Sequence, residues 1–257
     1  MPKKKKSQRD LFIELVKTNF KLRYNDSLLG ILWVALKPFL NFIVLYAIWT
    51  TFRKGFDDPN YAANLLIGLV IYMFAQEGTQ FGMGALLNLS GIILKVNFPR
   101  ELAVSSAVTV AFANLVINLV VVLAITLIAG YTPALGGIAY FAFIVLTLFM
   151  LIYGASLFIS IILVRVRDLD NIIQVGFRLL FWASAIFYDI NELEGAVGDL
   201  VRINPLAIII DAARNAVVLG EFTHVKYIFA LALFTAVLFV TGQVFFRKNV
   251  KRVAEFY

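Results

Sequence analysis

Few side chains in this sequence have the types and spacing that chemistry needs. His224 is the one histidine and the chain has no cysteine, so neither thiol chemistry nor a metal centre, which normally needs three or four ligands, is expected. Asp168 and Asp170 have the DxD spacing of metal-dependent glycosyltransferases, but they lie in a short charged turn with no catalytic domain beside it. GxxxxGK[ST], GxSxG and HExxH motifs are absent. The sequence therefore predicts no catalytic residue, metal site or cofactor on this chain.

Two charged residues interrupt long apolar runs instead. Glu77 lies within IYMFAQEGTQFGMG, and Arg178 lies within QVGFRLLFWAS. Because a charge at the centre of a membrane helix costs at least about 2.5–3.5 kcal/mol, each is expected to face a partner helix or a water-filled path. Helical spacing puts Arg178 on one face with aromatic and polar side chains, and sugars stack on aromatic rings. The candidate substrate path therefore comprises Glu77, Gln174, Phe177, Arg178, Phe181, Trp182 and Tyr188. Alternatively, the aromatic residues pack within the bundle, and Arg178 extends to the membrane surface or pairs with Glu77.

The composition identifies the apolar runs as membrane segments. Hydrophobic residues make up 61% of the 257-residue chain and charged residues 15%, which leaves too little polar surface for a water-soluble globule. The apolar blocks approach the roughly 20 residues that a membrane helix needs. The net charge of +7 could indicate nucleic acid, but the basic residues flank the apolar blocks, as the positive-inside rule predicts. We therefore expect an integral membrane protein surrounded by lipid, with no nucleic-acid partner.

These blocks predict an all-α fold in one domain, residues 1–257. Most of the 23 lysines and arginines adjoin the side that carries both termini, so both termini are expected in the cytoplasm, with an even number of spans. Six transmembrane helices are expected within a membrane domain at 28–246, near 28–52, 62–88, 103–130, 138–164, 170–188 and 227–246.

An amphipathic helix is predicted before the first span, at 9–24. Apolar residues recur at every fourth position, while acidic and basic residues occupy the opposite side. Such a helix lies in the membrane interface, where it either anchors the chain or also docks a cytoplasmic partner. The residues assigned to this interface helix are Phe12, Val16, Phe20, Arg23 and Tyr24.

The predicted cytoplasmic loop at 90–101, here called the coupling loop, has an unusual composition. It places bulky apolar residues between charged ones, although a connector has no need to expose apolar groups to water. A short helix that presents these groups to a groove on a soluble partner would explain this composition. The residues assigned to the loop are Leu94, Lys95, Phe98, Pro99, Arg100 and Glu101.

The predicted outer segment at 189–226 is the one long connection. Its apolar stretch begins at Asn204 and Pro205 and is too short to cross a bilayer, so we interpret it as two short re-entrant helices surrounded by protein. A surface-lying amphipathic helix is the alternative. Asp211 and Arg214, three residues apart on a helix, could pair and so reduce the cost of lying at depth.

The order of these motifs resembles the permease subunits of ABC-2-type exporters, in the branch that moves lipid-linked polysaccharides and teichoic acids. In that family an interface helix leads into the signature RY-x-x-S-x-LG-x-x-W-x-x-L-x-P. A glutamate in the second span, a K-x-x-FPRE loop, RD before the fifth span and NP after it complete the set. The matching residues here are Arg23, Tyr24, Ser27, Leu29, Gly30, Trp33, Leu36, Pro38, Glu77, the loop 95–101, Arg167, Asp168, Asn204 and Pro205. The stretch FWASAIFYDI departs from the family's more usual SPI-x-Y.

This resemblance implies a transport subunit that is not itself an enzyme. It implies a homodimer of permeases with two copies of a separate ATPase subunit, which would bind ATP and Mg²⁺. The coupling loop and the interface helix would contact the ATPase, and the fifth-span aromatic residues would line the channel. Asn204, Pro205, Asp211 and Arg214 would form its outer gate. The substrate would be an undecaprenyl-diphosphate-linked polysaccharide such as O-antigen, capsule or wall teichoic acid, exported across the bacterial cytoplasmic membrane.

Two other functions fit the same features. The same fold could export small hydrophobic drugs, since its membrane topology would be identical. A membrane glycosyltransferase that uses Asp168 and Asp170 would instead be an enzyme acting on a nucleotide sugar.

Overall fold

The computed structural model describes residues 8–24, 27–52, 60–93, 98–128 and 134–253, and these residues form helices with no β-strand among them. A 3₁₀ turn at Leu135–Gly137 precedes α6, and one turn of π-helix at Asn215–Leu219 follows α9. The predicted all-α class is confirmed. The helices are α1 (Gln8–Tyr24), α2 (Leu32–Phe52), α3 (Tyr61–Asn88), α4 (Ser90–Ile93), α5 (Glu101–Ile128), α6 (Ile138–Arg165), α7 (Leu169–Ala183), α8 (Gly195–Ile203), α9 (Pro205–Arg214) and α10 (Val225–Val253).

Four segments in the described ranges are long and apolar enough to cross a membrane. They correspond to the first, third, fourth and sixth predicted spans. Each contains a run of apolar residues longer than the roughly 20 residues that a bilayer requires. The four segments are Leu32–Phe52, Glu101–Leu127, Leu135–Arg165 and Val225–Val250.

The other two predicted spans correspond to α3 and α7. With 28 residues, α3 is about 42 Å long at 1.5 Å per residue, but Gln76, Glu77 and Gln80 reduce its apolar character. With 15 residues, α7 is about 22 Å long, less than the roughly 30 Å hydrocarbon core. It ends at Ala183 rather than at 188 as predicted, because the chain turns sharply at Ala185, whose φ is +51°.

The central helix is α3, and more than half of its residues are buried. It packs against α5 and α6, and α10 packs along α6. A main apolar core surrounds α3. A second cluster lies where α1, α3, α5, α6 and α10 meet, and it includes Leu15, Leu86, Phe98, Leu157 and Phe246.

The predicted amphipathic helix is present as α1 and packs along α5. Leu15 and Asn19 are its buried residues, and the Asn19 side-chain amide donates a 3.0 Å hydrogen bond to the Ser106 hydroxyl of α5. Lys17 and Lys21, on the opposite side, are exposed. The apolar side of α1 therefore contacts the rest of the bundle, and its charged side is available to other molecules.

Two short helices, α8 and α9, form the outer segment, with 9 and 10 residues respectively. Residues 206–210 and 212–214 of α9 are buried, and the helix packs against α3 and α6. A helix lying on the surface would expose one side, so this burial contradicts the surface-lying alternative for α9. In α8, by contrast, Val197, Leu200 and Ile203 remain exposed.

Candidate functional site

The α7 face predicted to carry substrate borders a cavity of about 280 Å³ between α7 and α3, here called the α7 cavity. Of the predicted path residues, Gln174, Arg178, Phe181 and Trp182 line it. None of the α7 side chains is buried, because the helix makes few contacts with its own chain. The cavity is therefore open along one side, which leaves Arg178 and Trp182 exposed.

The wall opposite Arg178 is a stripe of α3 that sequence reasoning missed. Tyr72, Gln76 and Gln80 line the α7 cavity, and their four-residue spacing places them on one helix face. That spacing is the signal that could have identified the stripe. The cavity wall is thus polar and aromatic on both helices.

Aromatic contacts hold α7 against α3. The ring of Tyr72 meets the rings of Phe181 and Phe177 edge-to-face, with centroids 5.2 and 6.3 Å apart, the arrangement that aromatic pairs favour. The Tyr72 hydroxyl also donates a hydrogen bond to the backbone carbonyl of Phe177. Phe177 therefore serves α7 packing, while Phe181 both packs and lines the cavity.

Glu77, which is predicted to lie on the substrate path, does not line this cavity. The side-chain amide of Asn114 on α5 donates to the Glu77 carboxylate at 3.0 Å and to the Tyr24 hydroxyl at 2.8 Å. Beside it, the Arg23 guanidinium sits 3.2 Å above the ring centroid of Phe81. One step along a helix turns a side chain by about 100°, so Glu77 faces α5 and α1 while Gln76 and Gln80 face Arg178. The alternative in which Arg178 pairs with Glu77 is wrong.

Arg214, an assigned outer-gate residue, is 8% exposed and binds backbone carbonyls. Its Nε donates to the Asn64 carbonyl at 2.8 Å, its Nη1 to the Ala185 carbonyl at 2.7 Å, and its Nη2 to the Ile186 carbonyl. A side chain at Gly68 would collide with this guanidinium.

Asp211 and Arg214 do not form the predicted ion pair, because each side chain binds other groups. The Asp211 carboxylate accepts a 3.1 Å hydrogen bond from the Asn215 side-chain amide and lies 3.0 Å from His224 Nε2. Asp211 and Arg214 still border one cavity of about 250 Å³, together with Tyr188, one of the predicted path residues. The Tyr188 hydroxyl donates a 2.8 Å hydrogen bond to the backbone carbonyl of Trp182, which lines the α7 cavity.

Asn204 and Pro205 start α9 and bind it to the end of α7. The Asn204 side-chain oxygen accepts a 3.0 Å hydrogen bond from the Leu206 amide, and Pro205 occupies the first turn, as expected for a helix N-terminus. The same side chain donates to the Ala183 carbonyl at 2.8 Å. Both ends of α9 are therefore fastened to the turn at 183–186 that follows α7.

The described part of the coupling loop folds back on its own chain; Leu94 and Lys95 lie outside the described residues. Phe98 is 9% exposed and belongs to the second core cluster, which corrects its assignment as an apolar group presented to a partner. The cause is the proximity of α10, whose Phe246 belongs to the same cluster. Pro99 is exposed and remains available for contact.

The residues assigned to the interface helix are only partly covered by the rest of the chain. Phe12, Val16 and Phe20 are half-buried, and the Phe20 ring lies 4.8 Å from that of Tyr24, between centroids. Through Tyr24 and Asn114, the end of α1 is connected to Glu77 in the centre of the bundle.

The DxD pair has a helical role in this structure. Asp168 immediately precedes α7 and Asp170 lies in its first turn, where negative charge stabilises a helix N-terminus. The Asp170 carboxylate accepts a 3.0 Å hydrogen bond from Gln174. Across the described ranges, no group of three or more histidine, aspartate or glutamate side chains is arranged to hold a metal ion. These contacts disfavour the glycosyltransferase alternative.

Residues 10–218 match the family described as ABC-2 type transporter, which is most of the chain. The protein belongs to this family and is a multi-pass membrane protein.

Relatives over nearly the full length are permeases of polysaccharide export. The chain is 27% identical to an O-antigen export system permease protein RfbA from Klebsiella pneumoniae, over 96% of this chain and 94% of that one. It is 24% identical to an RfbA from Myxococcus xanthus, over 96% and 95% of the two chains. It is 22% identical to the polysialic acid transport protein KpsM from Escherichia coli, over 92% and 91%.

Proposed function

We propose that this chain is the membrane-spanning permease of an ATP-driven exporter of cell-surface polysaccharide. The observation that carries the proposal is the end-to-end match to permeases named for O-antigen and polysialic acid transport. The structure adds a cavity whose walls have the polar and aromatic character that sugars bind. Drug export has no comparable support, since these relatives are named for polysaccharides.

Two copies of the permease would enclose the path. The α7 cavity is open on one side, and no α7 side chain is buried in the single chain. A second copy placed against this side would convert the open cavity into a closed channel lined by α3 and α7 of both copies. An amphipathic helix with an aromatic and cationic face is more stable against a water-filled channel than against lipid.

The proposed topology has six crossings and places both termini in the cytoplasm. Apart from the four long apolar segments, α3 would cross at the centre of the bundle, where other helices shield its polar side chains. In this proposal α7 would complete its crossing through the turn at 183–186, and α9 would re-enter from outside between α3 and α6. Burial of α9 by protein supports this arrangement, because backbone near the membrane core must not face lipid unpaired.

Energy would come from two copies of a separate ATPase, which would bind ATP and Mg²⁺. No phosphate loop occurs in this sequence. The charged side of α1 and the exposed Pro99 of the coupling loop are the candidate contacts with that subunit. The transported molecule would be polysaccharide linked to undecaprenyl diphosphate, which crosses the bacterial cytoplasmic membrane.

Deletion of the gene in its own host tests this function. The host should lose its surface polysaccharide and accumulate the same polymer inside the cell, and the wild-type gene should restore the surface polymer. A matched strain carrying the wild-type permease with an ATPase whose phosphate-loop lysine is replaced should show the same loss. An unchanged amount of surface polymer in the deletion strain would contradict the proposal.

A further inference from the structure

The end of the coupling loop is attached to the C-terminal helix α10 by an apolar contact. Phe98 is 9% exposed and Phe246 of α10 is fully buried, and both belong to the second core cluster. Because Phe98 immediately precedes Pro99, this contact fixes the position from which the exposed part of the loop projects.

Two polar contacts lie beside this apolar one. Arg100 donates a hydrogen bond to the backbone carbonyl of Val250. Arg247 holds the Glu101 carboxylate at two points, with Nε 2.6 Å from Oε1 and Nη2 3.3 Å from Oε2. A two-point contact between a guanidinium and a carboxylate fixes orientation as well as distance. These two residue pairs, Arg100–Val250 and Glu101–Arg247, are here called the α10 strap.

Between one and about two helical turns before Arg247, α10 touches the backbone of α6. A side-chain carbon at Gly242 would lie 3.0 Å from the Gly154 carbonyl oxygen, and one at Gly154 would lie 3.2 Å from the Phe239 amide nitrogen. Small residues that bring two helix backbones this close restrict sliding of one helix along the other. The rings of Phe158 and Phe245 stack between this crossing and the strap, with centroids 5.0 Å apart.

We propose that Arg247 and Glu101 are positioning residues that make the 98–101 segment and the nearby half of α10 move as one unit. Displacement of the coupling loop by the ATPase would then reach α6 through α10, in addition to passing directly along α5, which begins at Glu101. This inference rests on the proposed function, because it assigns a route for the work of ATP hydrolysis.

The energetics of the strap suit a role in coupling more than one in stability. In the single chain the Arg247 side chain is 68% exposed while that of Glu101 is 22% exposed, and solvent around the guanidinium limits what the pair contributes to folding. Loss of the pair would loosen the connection between the loop and α10 while leaving the helices folded.

Charge exchange between the two residues tests the strap in the permease–ATPase complex. Glu101→Arg and Arg247→Glu should each reduce the amount of polysaccharide exported per ATP hydrolysed by about two- to fivefold, the range that such a pair supports. The complex should still co-purify and hydrolyse ATP. The double variant should recover most of the loss, because it restores the pair in reverse. Lys248→Glu, on the same turn of α10 but outside the strap, is the matched control and should behave as wild type.

Three results would contradict the proposed role of the strap. The first is wild-type coupling in both single variants, and the second is a double variant as poor as the singles. The third is loss of the ATPase from the purified complex, since Glu101 and Arg247 would then be docking residues.

A cross-link keeps the test decisive if the charge variants fail to fold. Glu101→Cys and Arg247→Cys can be joined by a short cleavable thiol cross-linker, because the two native side chains are in contact and the chain has no native cysteine. Export should continue in the linked protein if the loop and α10 move together. Export that stops and returns on cleavage would contradict the proposal. If the wild-type complex exports no polysaccharide, the proposed function itself fails. The strap is then judged by whether ATP hydrolysis continues or stops in the cross-linked complex.

Discussion

The side-chain amide of Asn204 donates a hydrogen bond to the backbone carbonyl of Ala183, with nitrogen and oxygen 2.8 Å apart. This bond joins Asn204, which immediately precedes α9, to Ala183, the last residue of α7. From the other end of α9, Arg214 donates to the backbone carbonyls of Ala185 and Ile186, in the turn that follows α7. The helix assigned to the outer gate, α9, is therefore attached at both of its ends to the end of α7 and the turn after it. In this proposal α7 is the helix that borders the path. Movement of one would carry the other.

Removal of Arg214 should destabilise the permease. In Arg214→Met the buried carbonyls of Ala185 and Ile186 lose their donor, and leaving even one buried polar group unpaired costs about 1–3 kcal/mol. Arg214→Lys should not restore stability, because a lysine ammonium cannot reproduce the planar fork of donors. Thermal unfolding of the purified protein measures the effect. Arg202→Met on exposed α8 is the control and should change stability by less than about 0.5 kcal/mol. Equal melting temperatures for the two methionine variants would contradict this role.

Glu77 should respond differently to amide and apolar replacement. Glu77→Gln keeps an oxygen that accepts from Asn114 and should retain stability near that of wild type. Glu77→Leu leaves the Asn114 amide without this acceptor and should cost about 1–3 kcal/mol. Gln80→Leu, on the α7 cavity side of the same helix, serves as the control for added apolar bulk. A stable Glu77→Leu protein with impaired export would instead return Glu77 to the substrate path.

Phe98→Ala should weaken the permease itself. Truncating a buried phenylalanine costs about 3–5 kcal/mol, so the unfolding temperature of the isolated chain should fall. Pro99→Ala should leave that temperature unchanged and weaken co-purification of the ATPase. The reverse pattern, a stable Phe98→Ala protein that fails to bind the ATPase, would show that Phe98 is a docking anchor after all.

Sequence periodicity predicted the individual helices well and their contacts poorly. The interface helix was expected at 9–24 and spans Gln8–Tyr24, because its apolar repeat lies within its own residues. Glu101 and Arg247 are 146 residues apart, and no local pattern specifies such a partner. The apolar run continues past Ala183, so periodicity predicts that α7 ends at 188. The helix ends at Ala183, whose carbonyl accepts a hydrogen bond from Asn204.

Of the predicted path residues on α7, Gln174, Arg178, Phe181 and Trp182 line the α7 cavity, whereas the α3 side of that cavity is not among the predicted residues. The four-residue spacing of Tyr72, Gln76 and Gln80 is visible in the sequence. The prediction of the substrate path instead follows the charge of Glu77, which is one position from Gln76. A charge at depth indicates that a residue needs a partner, and it does not indicate which side of the helix that partner occupies.

The purified chain alone should not hydrolyse ATP. The absence of a phosphate loop implies that hydrolysis requires the second polypeptide. A vanadate-sensitive rate measured with and without the co-expressed ATPase separates the two cases. The isolated chain should give the rate of empty membranes, and a specific rate above that background would contradict the division of labour.

The accessibility of position 178 tests the account most directly. Arg178→Cys would be the single thiol of the chain, and Leu233→Cys on α10, an apolar position that is 71% exposed, serves as the lipid-facing control. In the assembled complex a small charged thiol reagent should modify Cys at 178 during ATP turnover, with polysaccharide slowing the reaction, and should leave position 233 unmodified. An unreactive position 178 in every nucleotide state, together with normal export by Arg178→Ala, would show that α7 does not line the path.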